Sequence, residues 1–128
     1  MPEKFEYIFD KQTGIMYKYY YEAITIEDIS SSWDYAISNN IIPKETKGFI
    51  LDYSKANLKI ELNEYIRIAE YYHQHLDTFR SKKIAIIVQK PKDATISDLV
   101  ETKDSGYSSR PFYTVEAAIS WILDNSSF

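Results

Sequence analysis

Lys47-Gly48-Phe49-Ile50-Leu51-Asp52-Tyr53-Ser54 is the stretch that decides the fold. Phe49, Ile50 and Leu51 are consecutive and apolar, without alternation, as in a strand buried on both faces of a parallel sheet. The spacing predicts a strand over 47–52 and a polar connection over 53–59. That connection leads into the longest helix, with an apolar stripe of Leu62, Tyr65, Ile66, Ala69, Tyr72, Leu76 and Phe79. Residues 83–88 repeat the continuously apolar pattern as the next strand, which Pro91 ends.

Upstream, Phe5, Tyr7 and Phe9 alternate with Glu6 and Asp10, the period of a strand with one apolar face. Gly14 supplies a turn into a second strand over 15–23, so the N-terminus reads as a hairpin. Thr25-Ile26-Glu27-Asp28 has capping-box spacing. Ile26, Ile29, Trp33, Ala36 and Ile37 follow at helical intervals until Asn39, Asn40 and Pro43 stop them. Downstream, Thr95-Ile96-Ser97-Asp98 caps a short helix that ends before Gly106, and Phe112 and Tyr113 form a brief strand. Thr114 caps a last helix that buries Val115, Ala118, Ile119 and Ile122. The order is β-β-α-β-α-β-α-β-α. It predicts one α/β domain over residues 1–128, with a mostly parallel five-stranded sheet and an antiparallel N-terminal edge strand.

Composition narrows the chemistry. The chain has 128 residues and no cysteine, which excludes disulfides, thiolate metal sites and a cysteine nucleophile. Its net charge is −4 with the signs interspersed, and its only arginines are Arg67, Arg80 and Arg110, so nucleic acid is not an expected partner. The first residues, MPEKFEYIFD, carry no apolar core of a signal peptide, and residues 124–128 carry no lipidation box. No apolar run approaches the roughly 20 residues of a membrane span. A cytoplasmic protein with no membrane insertion is expected.

No G-x-S-x-G turn and no glycine-rich phosphate loop is present. His73 and His75 are two apart on a helix and point to different sides, so they do not share a metal. No catalytic set and no cofactor site emerges, and a non-enzymatic protein is expected. Asp52, at the carboxyl end of a central strand, is the candidate polar site residue, with turn capping as its structural alternative. Lys90-Pro91-Lys92-Asp93 is expected beside it, and Arg110 at the opposite end of the sheet. Aromatic residues make up 16% of the chain, twelve of them tyrosines, and four of these crowd one strand. Tyr17, Tyr19 and Tyr21 share a face with Ile15, whereas Met16, Lys18 and Tyr20 share the other. One layer of helices cannot bury Tyr17, Tyr19, Tyr20 and Tyr21 together. Their surplus marks an interface or reflects the strand preference of tyrosine.

The segments 47–54, 82–88 and 114–121 together resemble the STAS or SpoIIAA-like family of anti-sigma-factor antagonists. In that family a central strand ends in an Asp-x-Ser turn and the closing helix is rich in alanine before a Trp-Ile or Trp-Leu pair. The resemblance implies a superhelix of β-α turns with helices mainly on one sheet face. It implies an interaction or regulatory module that meets a protein partner or a second copy of itself. The family's phosphoacceptor serine follows the turn by about seven residues. Counting from Ser54 reaches Ile60 and Glu61, so that serine is missing here. Glu61 then acts as a helix-terminal charge worth roughly 0.3–1 kcal/mol, or as a constitutive mimic of the phosphate. Ser54 reads as a turn former, with a switch as its alternative. A second function stays open: an apolar small molecule or lipid held between helices and sheet by Trp33, Tyr65, Tyr72, Phe79 and Trp121.

Overall fold

Strands β1 (Phe5–Asp10), β2 (Ile15–Ile24), β3 (Gly48–Leu58), β4 (Lys83–Ile87) and β5 (Ser108–Phe112) lie side by side in chain order. They are seen in a computed structural model that describes residues 4–124. β1 pairs antiparallel with β2, and the other three junctions are parallel. This is the mixed five-stranded sheet that the element order predicts.

Each parallel strand adds to the same side of its predecessor. Right-handed crossovers therefore deliver α1 (Ile26–Ser38), α2 (Tyr65–Gln74) with α3 (Leu76–Phe79), and α4 (Pro91–Glu101) to one face. Their core joins Ile29, Trp33, Ala69, Tyr72, Phe79, Ile96 and Val100 to Met16, Phe49, Leu51 and Ile84 of the sheet. Trp33, Phe49 and Phe79 meet within 5.1–5.5 Å, two of these contacts edge-to-face, the arrangement that ring quadrupoles favour. α5 (Val115–Leu123) follows the last strand and escapes the crossover rule. It covers the other face, where Ala118 and Ile122 pack on Ile15, Ile50, Ala85 and Ile87.

Local chemistry sets the helix ends. The Thr25 hydroxyl accepts from the Asp28 amide at 3.2 Å, and the Asp28 carboxylate accepts from the Thr25 amide at 2.9 Å, which completes the expected capping box. Thr114 caps α5 by accepting from the Ala117 amide. Lys83 closes its other end, donating to the carbonyls of Trp121 and Asp124 at 2.7 and 2.8 Å. Gly48 lets α5 approach. A Cβ there would stand 2.8 Å from both Ile122 Cγ2 and the Lys83 carbonyl oxygen.

The structure departs from the sequence reading in four places. β3 runs on to Leu58, where a polar connection is expected from Tyr53. On β2 the pairing steps from Tyr19 to Tyr21 while on β3 it steps from Asp52 to Lys55, so the Asp-x-Ser segment is a β-bulge and not a turn. The long helix is broken at His75, and its first turn, Leu62–Glu64, is 3-10. Leu62 and Ile66 consequently leave the stripe and face solvent. α4 starts at Pro91, whose missing N–H costs nothing at the first helical position, and not at Thr95. β5 begins at Ser108, which places Arg110 within the strand, over the Trp121 ring at 5.1 Å. Residues 125–128, part of the segment read for lipidation signals, lie outside the described residues, as do residues 1–3 of the N-terminal segment. No helix among the described residues is long and apolar enough to cross a membrane.

Candidate interaction surface

α5 lies over β3, β4 and β5 and its cluster takes in Ile15 and Tyr17 of β2; among the described residues, no helix covers that side of the sheet across β1 and the rest of β2. Alternation sets what this open half displays. β1 turns Phe5, Tyr7 and Phe9 inward, so Glu6 and Ile8 face out, and Ile8 is 48% exposed. β2 turns Met16, Lys18 and Tyr20 inward, which leaves Tyr17, Tyr19 and Tyr21 half-buried on the outer side. The Tyr17 and Tyr19 rings stack at 6.1 Å with 10° between their planes.

Tyr19 lies at the centre of one cross-strand row. Glu6 is its partner on β1 and Asp52 its partner on β3. Strands sit about 4.8 Å apart, so the two carboxylate-bearing positions flank Tyr19 at a separation of roughly 10 Å. Partial burial first, and then the Asp52 and Glu6 carboxylates, raise the Tyr19 hydroxyl above its ordinary pKa. Burial, Tyr19 and Asp10 do the same to Tyr17. The Tyr21 hydroxyl donates to Glu6 Oε1 at 2.8 Å, and that bond is the main cause of its raised value. Asp52 Oδ1 accepts from the Ser54 amide at 2.8 Å, satisfying a donor that the bulge frees from the ladder.

A groove of about 210 Å³ follows this row, lined by Glu6, Ile8, Tyr19, Tyr20, Tyr21, Asp52, Ser54 and Lys55. The fold thus brings Tyr19, Tyr21, Asp52 and Ser54 together, with Tyr17 stacked alongside. Tyr20 sits among them in sequence, but its ring turns to the core and is fully buried, stacked on Tyr53 at 4.1 Å. Glu61 is not in the groove. It precedes the 3-10 turn, and its amide donates to the Glu64 carboxylate at 2.8 Å. Glu6, Ile8 and Lys55 are members of the surface that the sequence reading did not select. The alternation of β1 carries the signal for Glu6 and Ile8. The bulge brings in Lys55, and it has no such signal.

Among the described residues, the space between helices and sheet that Leu51, Tyr72 and Val100 line is small. Its cavity measures about 30 Å³, room for one water-sized group and too little for a lipid. Of the five aromatic residues expected to line a ligand pocket, Tyr72 alone borders this cavity. Trp33 and Phe79 are locked in ring contacts, and Trp121 packs on the opposite face against Phe112.

No family model matches the sequence, and no curated protein matches it. Solved structures do match in fold. One is an uncharacterized protein of the DUF3478 family with a SpoIIAA-like fold, from Shewanella loihica PV-4. It has 13% identity and a TM-score of 0.62, with 92% of this chain and 91% of that one covered. Another is the anti-sigma factor antagonist SpoIIAA in its unphosphorylated form. It has 9% identity and a TM-score of 0.51, covering 92% of this chain and 96% of that one. The fold is SpoIIAA-like.

Proposed function

We propose that this chain is a non-enzymatic STAS-type module, acting in the cytoplasm, that docks a protein partner on the open half of its sheet. The observation that carries this reading is the half-buried pair Tyr19 and Tyr21 lining a groove beyond α5, with Tyr17, which borders the α5 cluster, stacked on Tyr19. Tyrosines so placed offer large apolar area at low conformational cost while their hydroxyls stay wet. One structural neighbour is an anti-sigma factor antagonist, which supports a role exercised through contact with another protein. Ile60 and Glu61 stand where the family carries its phosphoacceptor serine, so docking here is not switched at that position.

Site-specific crosslinking tests the reading. A photo-reactive amino acid replaces Tyr19 in one variant and Tyr113, 61% exposed at the far end of the sheet, in another. Irradiation in the native cell is expected to give a discrete protein adduct from position 19 and none from position 113. Equal adducts from both, or none from position 19, would overturn the proposal.

A further inference from the structure

The Glu6–Tyr19–Asp52 row specifies more than a generic contact. We propose that the partner docks there by an arginine, its guanidinium lying on the Tyr19 ring between the Glu6 and Asp52 carboxylates. The inference rests on the docking role proposed above and names the chemistry of the docking segment.

Three features of the row select arginine. It pairs a ring face with two carboxylates on adjacent strands, and guanidinium stacks on aromatic rings and donates in plane to carboxylates at the same time. Lysine offers a point charge without that plane. Each carboxylate is also held in position by a local bond that engages one oxygen, Glu6 by the Tyr21 hydroxyl and Asp52 by the Ser54 amide. Neither forms an ion pair among the described residues, so their charge is not neutralised from within. Among the described residues, Lys55 is the one cation lining the groove, and it forms an ion pair with neither. Asp10, on the same face of β1, extends the negative field toward Tyr17. The surface is therefore complementary to a cationic segment with planar, stacking side chains.

Of its three arginines, a second copy of this chain could offer only Arg80, which is exposed. Arg67 is held by Glu27 and Glu64 at 3.2 and 3.5 Å, and Arg110 lies over its own Trp121 ring. A segment of a different protein is the occupant to which the row commits.

The test is a two-dimensional NMR titration of the full chain with a short glycine–serine peptide carrying two arginines, beside a twin with citrulline in their place. The arginine peptide is expected to move resonances of Glu6, Tyr19, Tyr21 and Asp52, and the twin is expected to leave them in place. Glu6→Gln with Asp52→Asn should weaken binding roughly fivefold, from two exposed charge contacts. Asp98→Asn with Glu116→Gln, a pair of exposed carboxylates elsewhere, removes the same net charge and should change it far less. Equal binding of the twin, shifts centred on another face, equal effects of the two variant pairs, or light-scattering evidence that the face pairs with itself would each overturn the inference. Crosslinking separates the two levels. An adduct from position 19 that survives Glu6→Gln with Asp52→Asn defeats the arginine and keeps the docking face. No adduct at all defeats the face.

Discussion

The Lys18 amino nitrogen stands 3.9 Å from the centroid of the Trp33 ring, in a chamber where its hydrogen bond is to the Ser32 hydroxyl at 2.5 Å. Tyr20, Phe5 and Tyr7 close the remaining sides at 4.6, 5.6 and 5.8 Å, and no carboxylate pairs with it among the described residues. Ring faces favour the ammonium by roughly 0.5–2 kcal/mol, but desolvating it costs several kcal/mol. Burial wins and pushes the Lys18 amine well below its ordinary value.

Stability should therefore climb with pH below the tyrosine range. The unfolded chain holds the Lys18 proton up to about pH 10.4. The native chain releases it earlier, so between those points the unfolded state binds more protons and unfolding becomes harder as pH rises. Tyr7 is pushed up to about 12 and burial raises Tyr20 well above its ordinary value, so their opposing contribution waits until the unfolded tyrosines ionise near pH 10. Lys18→Met should stabilise the protein at neutral pH by about 1–3 kcal/mol and flatten the slope. Ser32 keeps its bond to the Ile29 carbonyl in that variant. Urea midpoints from pH 6 to about 9.5 measure both effects; an unchanged slope would mean that the cage keeps Lys18 charged.

A different sign is expected at Asp104. Burial raises its carboxyl to about 6 against the lowering effect of two bonds from Ser109, the amide at 2.5 Å and the hydroxyl at 2.8 Å. The native state then keeps a proton that the unfolded chain loses above its ordinary 3.8, so this group's contribution to stability falls as pH rises through that window and levels off above about 6. Carbon-detected NMR of the Asp104 carboxyl should titrate near 6, and Ser109→Ala should raise it further. A midpoint near the ordinary value would refute the burial account.

Gly48→Ala should cost about 1–3 kcal/mol by overpacking. The added methyl meets a side chain, Ile122, and a backbone carbonyl, that of Lys83, and the carbonyl cannot step aside. Adding Ile122→Ala relieves one clash and leaves the other, so the double variant should not regain wild-type stability. A fully tolerated Gly48→Ala in thermal denaturation would show that α5 can lift from the sheet without loss.

The element order was legible because it rests on local signals: alternation at Phe5, Tyr7 and Phe9, unbroken apolar runs at 49–51 and 84–88, and caps at Thr25 and Thr114. The failures share one physical origin. Tyr53 to Leu58 is polar enough to read as a connection, but the ladder with β2 holds it as strand and the bulge at Asp52–Ser54 absorbs the misfit. Leu62 and Ile66 fit a helical stripe by spacing, but the 3-10 start rotates them out of register with the core. The site was half legible. Alternation divides the β2 tyrosines between faces, yet nothing in the spacing says which face α5 covers.

The sequence by itself determined the strands, the helices and their order, since periodicity, capping and turn residues act over a few positions. It also determined that the β2 tyrosines are divided between two faces, because a strand alternates with a period of two. Only the tertiary structure decided what that division means. Sheet register sets Glu6, Tyr19 and Asp52 in one row from positions far apart in the chain. Burial on all sides turns Lys18 from a surface charge into a caged amine. Both depend on which elements pack together, a property of the whole chain that no local stretch carries.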